Sequence, residues 1–173
     1  MVEPVQKKPN LAVTPLSANF TLEELVTSST ASRKGIDNTP PAESVEALRA
    51  LVVNVLEPIR VALNTPISVE SGYRCPALNK AVSGSKASQH QALKGKEAAA
   101  DIKAVPKLTA LQLATAIAAI PDLPFDQCIL EYFSPSQPQS GWVHVSYAVG
   151  RTPRRMVLTI DRNGTRQGLD PKG

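Results

Sequence analysis

Between Thr39 and Leu63 the apolar residues Val45, Leu48, Val52, Val55 and Ile59 recur at steps of three and four. That spacing predicts a long amphipathic helix with one buried face, and Thr39-Pro-Pro-Ala-Glu-Ser opens it. Pro58 falls inside the pattern. It has no N–H to donate and its ring crowds the preceding turn, so a kink or a thinned last turn is expected there. The remainder of the chain must supply the surface that this face packs against.

Thr21-Leu-Glu-Glu24 has the form of a capping box, a Thr hydroxyl capping the helix and Glu24 reaching back. A short helix is expected from it to about residue 29. Residues 67–71 alternate and predict a strand. Residues 76–82 predict a short helix, and 83–96, rich in Gly, Ser, Lys and Gln, a loop. A small, apolar strand is expected over 98–104, around Asp101, and a helix over 108–120. Strands are expected over 126–133 and 142–149, joined by a loop at 134–141, with 156–160 as an edge strand and a loose, polar end from Arg162. Helices first and most strands later predict an α+β fold with an antiparallel sheet. The expected division is a flexible N-terminal arm over 1–18, a single domain over 19–168 and a loose tail over 169–173.

A chain of 173 residues is long enough for one domain with its own core. The net charge of +4 favours an anionic partner only weakly. No basic helix or Arg-rich run with interleaved aromatics is present, so nucleic acid is not an expected partner. Cys75 and Cys128 are the two cysteines and form no CxxC, which predicts reduced thiols. The first residues lack the apolar stretch of a secretory signal, and no apolar run reaches the roughly 18 residues needed to span a bilayer. Synthesis in the cytoplasm, without membrane insertion, and a monomeric state are the expectations.

The chain has two histidines. His90 lies in the small-residue loop, and His144 lies in the alternating strand Trp-Val-His-Val-Ser. Asp101 is set among Ala-Ala-Ala and Ile, where a carboxylate is costly to bury unless something positive holds it. Two imidazoles and a carboxylate on separate elements are suitable donors for a catalytic zinc, which commonly takes three protein ligands. Taken alone, the same residues also fit a solvated loop histidine, a hydrogen-bonded strand histidine, and an aspartate paired with Arg74 or a lysine.

Ser88-Gln-His90 followed by Ala-Ala-Asp101, with Ser71-Gly-Tyr-Arg74 before and Trp142-Val-His144 after, resembles the M15 family of zinc peptidases. The compact branch of phage and prophage peptidoglycan endopeptidases is the most similar. The likeness runs in order through Phe20-Thr-Leu-Glu-Glu, Gly35-Ile-Asp-Asn-Thr-Pro, Leu56-Glu-Pro, Asp126-Gln-Cys-Ile-Leu-Glu131 and Trp142-Val-His-Val-Ser, about residues 20 to 168. The resemblance implies a hedgehog/D-Ala-D-Ala-peptidase-like fold, with N-terminal helices packed on a small antiparallel sheet. It implies one zinc ion per chain, held by His90, Asp101 and His144. The family's aspartate usually follows the first histidine by seven residues, a position taken here by Glu97. Asp101 stands eleven on, so the loop over 91–96 has gained four residues if Asp101 is the ligand; Glu97 is the alternative.

The proton-transfer group departs from the family as well. Positions that carry it in many relatives are here Gly141 and Trp142. Glu131 is the expected general base, with Glu97 in reserve. By the same resemblance Arg74 faces substrate, steadying an oxyanion or a terminal carboxylate, and Ser88 and Trp142 contact substrate. Gln127 is a candidate supporting residue. The implied activity is hydrolysis of peptide bonds in the peptidoglycan stem or cross-link, by an endolysin-type or virion-associated enzyme that reaches the wall after holin-type release or within a virion. Two alternatives stay open: a non-catalytic phage structural or wall-binding module on the same fold, and a carboxypeptidase releasing D-Ala from soluble muropeptides.

Overall fold

In a computed structural model, residues 14–104 and 106–170 are described. Most of the expected arm, 1–18, and the end of the expected tail, 171–173, lie outside the described residues. What is described of the arm is packed: Leu16 is buried, and Glu57 accepts hydrogen bonds from the Ser17 hydroxyl and from the backbone and side chain of Asn19. Among the described residues, packing thus includes Leu16, Ser17 and Asn19.

The capping box forms. Thr21 caps helix α1 (Leu22–Val26), and Glu24 reaches back to the Thr21 backbone. A second short helix, α2 (Ser29–Lys34), starts at once with Ser28 as its cap and ends on Gly35 in the left-handed region. The long amphipathic helix is present in three pieces: α3 (Ala42–Leu51), a π-helical turn over Val52–Leu56, and α4 (Glu57–Leu63). The wide turn lies directly ahead of Pro58. A regular helix would leave the Asn54 carbonyl without the N–H that proline lacks. The ladder widens instead, with the Glu57 N–H bonding the Val52 carbonyl, and the Asn54 side chain bonds the Ala50 carbonyl at 2.8 Å. Leu48, Val52, Val55 and Ile59 are buried, as their spacing predicts.

Strands β1 (Ser68–Ser71), β2 (Glu97–Lys103), β3 (Gln127–Glu131), β4 (Trp142–Ala148), β5 (Met156–Asp161) and β6 (Gly164–Gln167) form one sheet in the order β1-β2-β4-β3-β5-β6. Helix α5 (Pro76–Ala81) follows β1, and α6 (Ala110–Ala119) links β2 to β3. Side chains alternate across a strand. Ala98, Ala100, Ile102, Cys128, Leu130, Val143 and Val145 point to the helical side, are fully buried, and pack beneath α3 and α6. The opposite face carries Asp101, Glu131, Trp142 and His144, and the loop bearing His90 covers part of it.

Two expectations are corrected. Residues 156–160 do not form an edge strand: β5 lies between β3, to which it is parallel, and β6, to which it is antiparallel. Residues 162–170 are not loose, because β6 forms there, Thr159 Oγ1 donates to the Gly168 carbonyl, and the Asp170 N–H donates to Thr159 Oγ1. Both cysteines are free thiols and buried. Among the described residues, no helix is long and apolar enough to cross a membrane.

Candidate metal centre

Three elements bring His90, Asp101 and His144 together. β2 and β4 pair so that Asp101 stands directly opposite His144. His90 comes from a 3₁₀ turn, Gln89–Gln91, laid over β2. A second turn, Leu93–Gly95, lies between His90 and β2. That turn is tied to α3, where the Ser44 hydroxyl donates to the Ala92 carbonyl. It passes so close to Glu43 that a Cβ on Gly95, already at φ +64°, would meet the Glu43 carbonyl.

The three residues are 4%, 6% and 7% exposed, in sequence order. His90 Nε2 lies 3.2 Å from Asp101 Oδ1 and 3.1 Å from His144 Nδ1, and His144 Nδ1 lies 3.3 Å from the same Asp101 oxygen. These atoms form a nearly equilateral triangle. A tetrahedral zinc with bonds of about 2.0–2.1 Å would separate its ligands by about 3.4 Å. On the far side of its ring, His90 Nδ1 lies 2.7 Å from the Gly72 carbonyl. A carbonyl only accepts, so Nδ1 carries the proton and Nε2 turns a bare lone pair toward the triangle. In donor type, spacing and protonation the three residues fit a zinc ion.

Gly72 is placed by contact. A Cβ there would lie 2.3 Å from the Leu25 carbonyl, and the next N–H, that of Tyr73, donates to this carbonyl at 2.6 Å. The glycine lets the chain press against α1 while its own carbonyl turns to His90. A register shift in β1, between Val69 and Ser71, immediately precedes it.

Arg74 Nη2 donates to Asp101 Oδ2 at 2.6 Å, and its Nε donates to the Ser71 hydroxyl at 3.0 Å. The ion pair that the sequence allowed is therefore formed, and it holds the carboxylate with Oδ1 free for the triangle. Among the described residues Nη1 has no hydrogen-bond partner, and Arg74 lines the cleft in front of the histidines. Burial opposes the charge on Asp101, and positive charge placed between it and the two histidines outweighs burial and holds the carboxyl well below the usual range.

Glu131, Trp142 and Ser88 line the same cleft, which has a volume of about 900 Å³. Residues of α1 and the turn into α2, among them Glu23, Thr27 and Ser28, form its other wall; nothing in their spacing marked them. Glu131 and Trp142 are cross-strand partners. Burial raises the Glu131 carboxyl above its ordinary range, while His144, Arg74 and the nearby Trp142 indole pull the other way. The indole N–H faces this carboxyl without completing a hydrogen bond, and the Trp142 ring leans on Tyr132 with centroids 5.4 Å apart. Gly141, where relatives carry a carboxylate, has φ +73°, and a Cβ there would lie 2.5 Å from the Glu131 carbonyl oxygen. The backbone of Glu131 thus fills the space that a side chain at 141 would need.

Glu97 is on the same face as Asp101 but does not join the triangle. Its carboxylate meets Gln89 Nε2 at 3.1 Å and Arg151 at 3.2 Å. The Gln127 backbone N–H bonds the Ser146 hydroxyl, and the Gln89 side chain approaches His144. Gln89 and its partner Asp126 were not recognised in that role from the sequence, although Gln89 adjoins His90.

No match is found among curated proteins. The family comparison gives a match to Peptidase M15 over residues 18–131. That span takes in Gly72, Arg74, His90, Asp101 and Glu131 and stops before His144, which β4 brings back to Asp101. A match covering most of the chain, on a fold that gathers these side chains into one cleft, establishes that the chain belongs to the peptidase M15 family.

Proposed function

We propose that this peptidase is zinc-dependent and cuts peptide bonds in the stem or cross-link of peptidoglycan, as a phage- or prophage-type wall hydrolase. The observation that carries the zinc reading is the triangle of His90 Nε2, Asp101 Oδ1 and His144 Nδ1, with the His90 nitrogen left bare by the Gly72 carbonyl. A zinc ion held there would supply Lewis acidity and lower the pKa of a water. The wall substrate rests on the family and on the resemblance to its phage branch.

The remaining roles follow from position and charge. Glu131 takes a proton from the attacking water and passes it to the leaving amine. Beside a divalent cation this carboxyl would stay ionised at neutral pH and so be able to accept that proton. Arg74, anchored through Nε and Nη2, offers Nη1 to an oxyanion or a substrate carboxylate. Trp142 and Ser88 border the place where the peptide lies.

The test joins zinc analysis with clearing of chloroform-treated Gram-negative cells and mass spectrometry of digested peptidoglycan. The expected protein carries one zinc, clears the suspension, and loses that activity to a chelator. Glu131→Gln should keep zinc and fold while turnover falls roughly 10²-fold or more; near-normal turnover would remove Glu131 from the reaction. A chain that pellets with walls and clears nothing would be a binding module, and one that releases D-Ala only from soluble peptides would be a carboxypeptidase.

A further inference from the structure

His144 is held from behind as well as from the front. Its Nε2, turned away from the triangle, lies 3.5 Å from Gln89 Oε1, a long hydrogen bond. Which end of the Gln89 amide faces the ring is decided by what surrounds the other end. Gln89 Nε2 lies 3.0 Å from Asp126 Oδ2 and 3.1 Å from Glu97 Oε2. An ionised carboxylate only accepts, so both neighbours demand the NH₂ end. A flipped amide would set its carbonyl oxygen against two anions and leave its NH₂ facing the ring.

The two carboxylates are themselves fixed. Asp126 is completely buried, and Arg154 grips both of its oxygens, Nε on Oδ1 at 3.0 Å and Nη2 on Oδ2 at 2.5 Å. Arg151 bridges Asp126 and Glu97, at 3.2 Å from each. Burial works against the Asp126 charge, but hydrogen bonds from Arg154 and Gln89 overcome it and hold the carboxyl down at about 2. The amide orientation is thus imposed from the arginines inward. Oε1 can only accept, so the ring nitrogen it faces must carry the proton.

We propose that Gln89, clamped by Asp126 and Glu97, is a positioning residue that places the His144 proton on Nε2 and leaves Nδ1 bare toward His90 and Asp101. The proposal rests on reading the triangle as a zinc centre. The two histidines are then set by one device used in opposite senses. A backbone carbonyl takes the Nδ1 proton of His90, a side-chain carbonyl takes the Nε2 proton of His144, and each ring turns its unprotonated nitrogen inward. Two ring lone pairs and a carboxylate oxygen then converge within 3.3 Å, an arrangement that is repulsive until a cation enters. Gln89 holds one of those lone pairs in place against the repulsion. Ligand-orienting partners of this kind commonly change metal affinity 10–100-fold when removed.

With two histidines in the chain, long-range ¹H–¹⁵N correlation on the full-length protein reads both rings without crowding. In the zinc-loaded protein we expect His90 to ligate through Nε2 and His144 through Nδ1. In the metal-free protein, at a pH where both rings are neutral, His90 should carry its proton on Nδ1 and His144 on Nε2. Gln89→Met keeps the length but removes the acceptor. It should move metal-free His144 toward a mixture of tautomers, leave the His90 pattern unchanged, and raise the zinc dissociation constant 10–100-fold in a competition titration. A wild-type His144 protonated on Nδ1, or ligating through Nε2, overturns the proposal without reference to any variant. So does a Gln89→Met protein with unchanged tautomers and zinc affinity within twofold. A wild-type chain that takes up no zinc but shows these tautomers refutes the metal reading and leaves the role of Gln89 standing.

Discussion

Asp101 divides its two oxygens between different tasks. Oδ2 receives Arg74, and Oδ1 faces both histidines. Glu97, at the position where the family usually has its carboxylate, is committed to Gln89 and Arg151. Asp101→Ala is therefore expected to lose the metal, whereas Glu97→Gln keeps an acceptor for the Gln89 amide and should bind zinc within a few-fold of wild type. Metal content after gel filtration checks both, and the reverse pattern would show that the extra loop residues had been assigned wrongly. The chemistry of these residues was legible because histidine is scarce in the chain and a carboxylate among alanines is costly without a partner. Gln89 was not, because the residue that orients it, Asp126, is 37 positions away. A glutamine beside a histidine gains meaning only when folding puts a buried carboxylate behind it.

Elements built on local signals were readable, and those built on distant pairing were not. The capping box of α1 occupies four consecutive residues, and both of its hydrogen bonds form. This helix matters to the site because the Leu25 carbonyl takes the Tyr73 N–H and touches Gly72, whose own carbonyl fixes His90. Thr21→Ala should cost about 1 kcal/mol and lower the melting temperature by roughly 2–4 °C, measured by circular dichroism; an unchanged midpoint would mean the cap contributes nothing here. β6 escaped notice because Gly164-Thr-Arg-Gln has no apolar alternation. It forms on a tight turn from Asp161, and Arg166 grips Asp161 at 3.1 and 2.6 Å. The parallel pairing of β3 with β5 escaped for a different reason. Strand residues show that a strand exists, whereas its neighbour depends on how the chain crosses the sheet.

At the scale of the whole molecule, Asp126 joins parts of the chain that no local signal connects. Its backbone bonds Ser146 in β4 and Met156 in β5, and its carboxylate takes Arg154, Arg151 and Gln89, which links the segment after β4 to the His90 loop. Folding lowers this carboxyl from 3.8 to about 2, because the Arg154 and Gln89 hydrogen bonds outweigh burial. A group with a depressed folded pKa stabilises the native state fully above its unfolded pKa and loses that contribution as pH falls through the folded value. Between about pH 4 and pH 2 the unfolded chain binds the proton that the folded one refuses, so stability should fall as acid is added, by about 2 kcal/mol from this residue. Asp101 and Glu57, also held low, add to the same slope, so the Asp126 share must be read as a difference. Asp126→Asn should be less stable than wild type at pH 7, and the gap should narrow toward pH 2 as the wild-type carboxyl takes up its proton. Urea denaturation of the metal-free proteins at pH 7, 4, 3 and 2 measures that gap. A gap that stays constant across the series would mean that the Asp126 charge does not hold the His90 loop to the sheet.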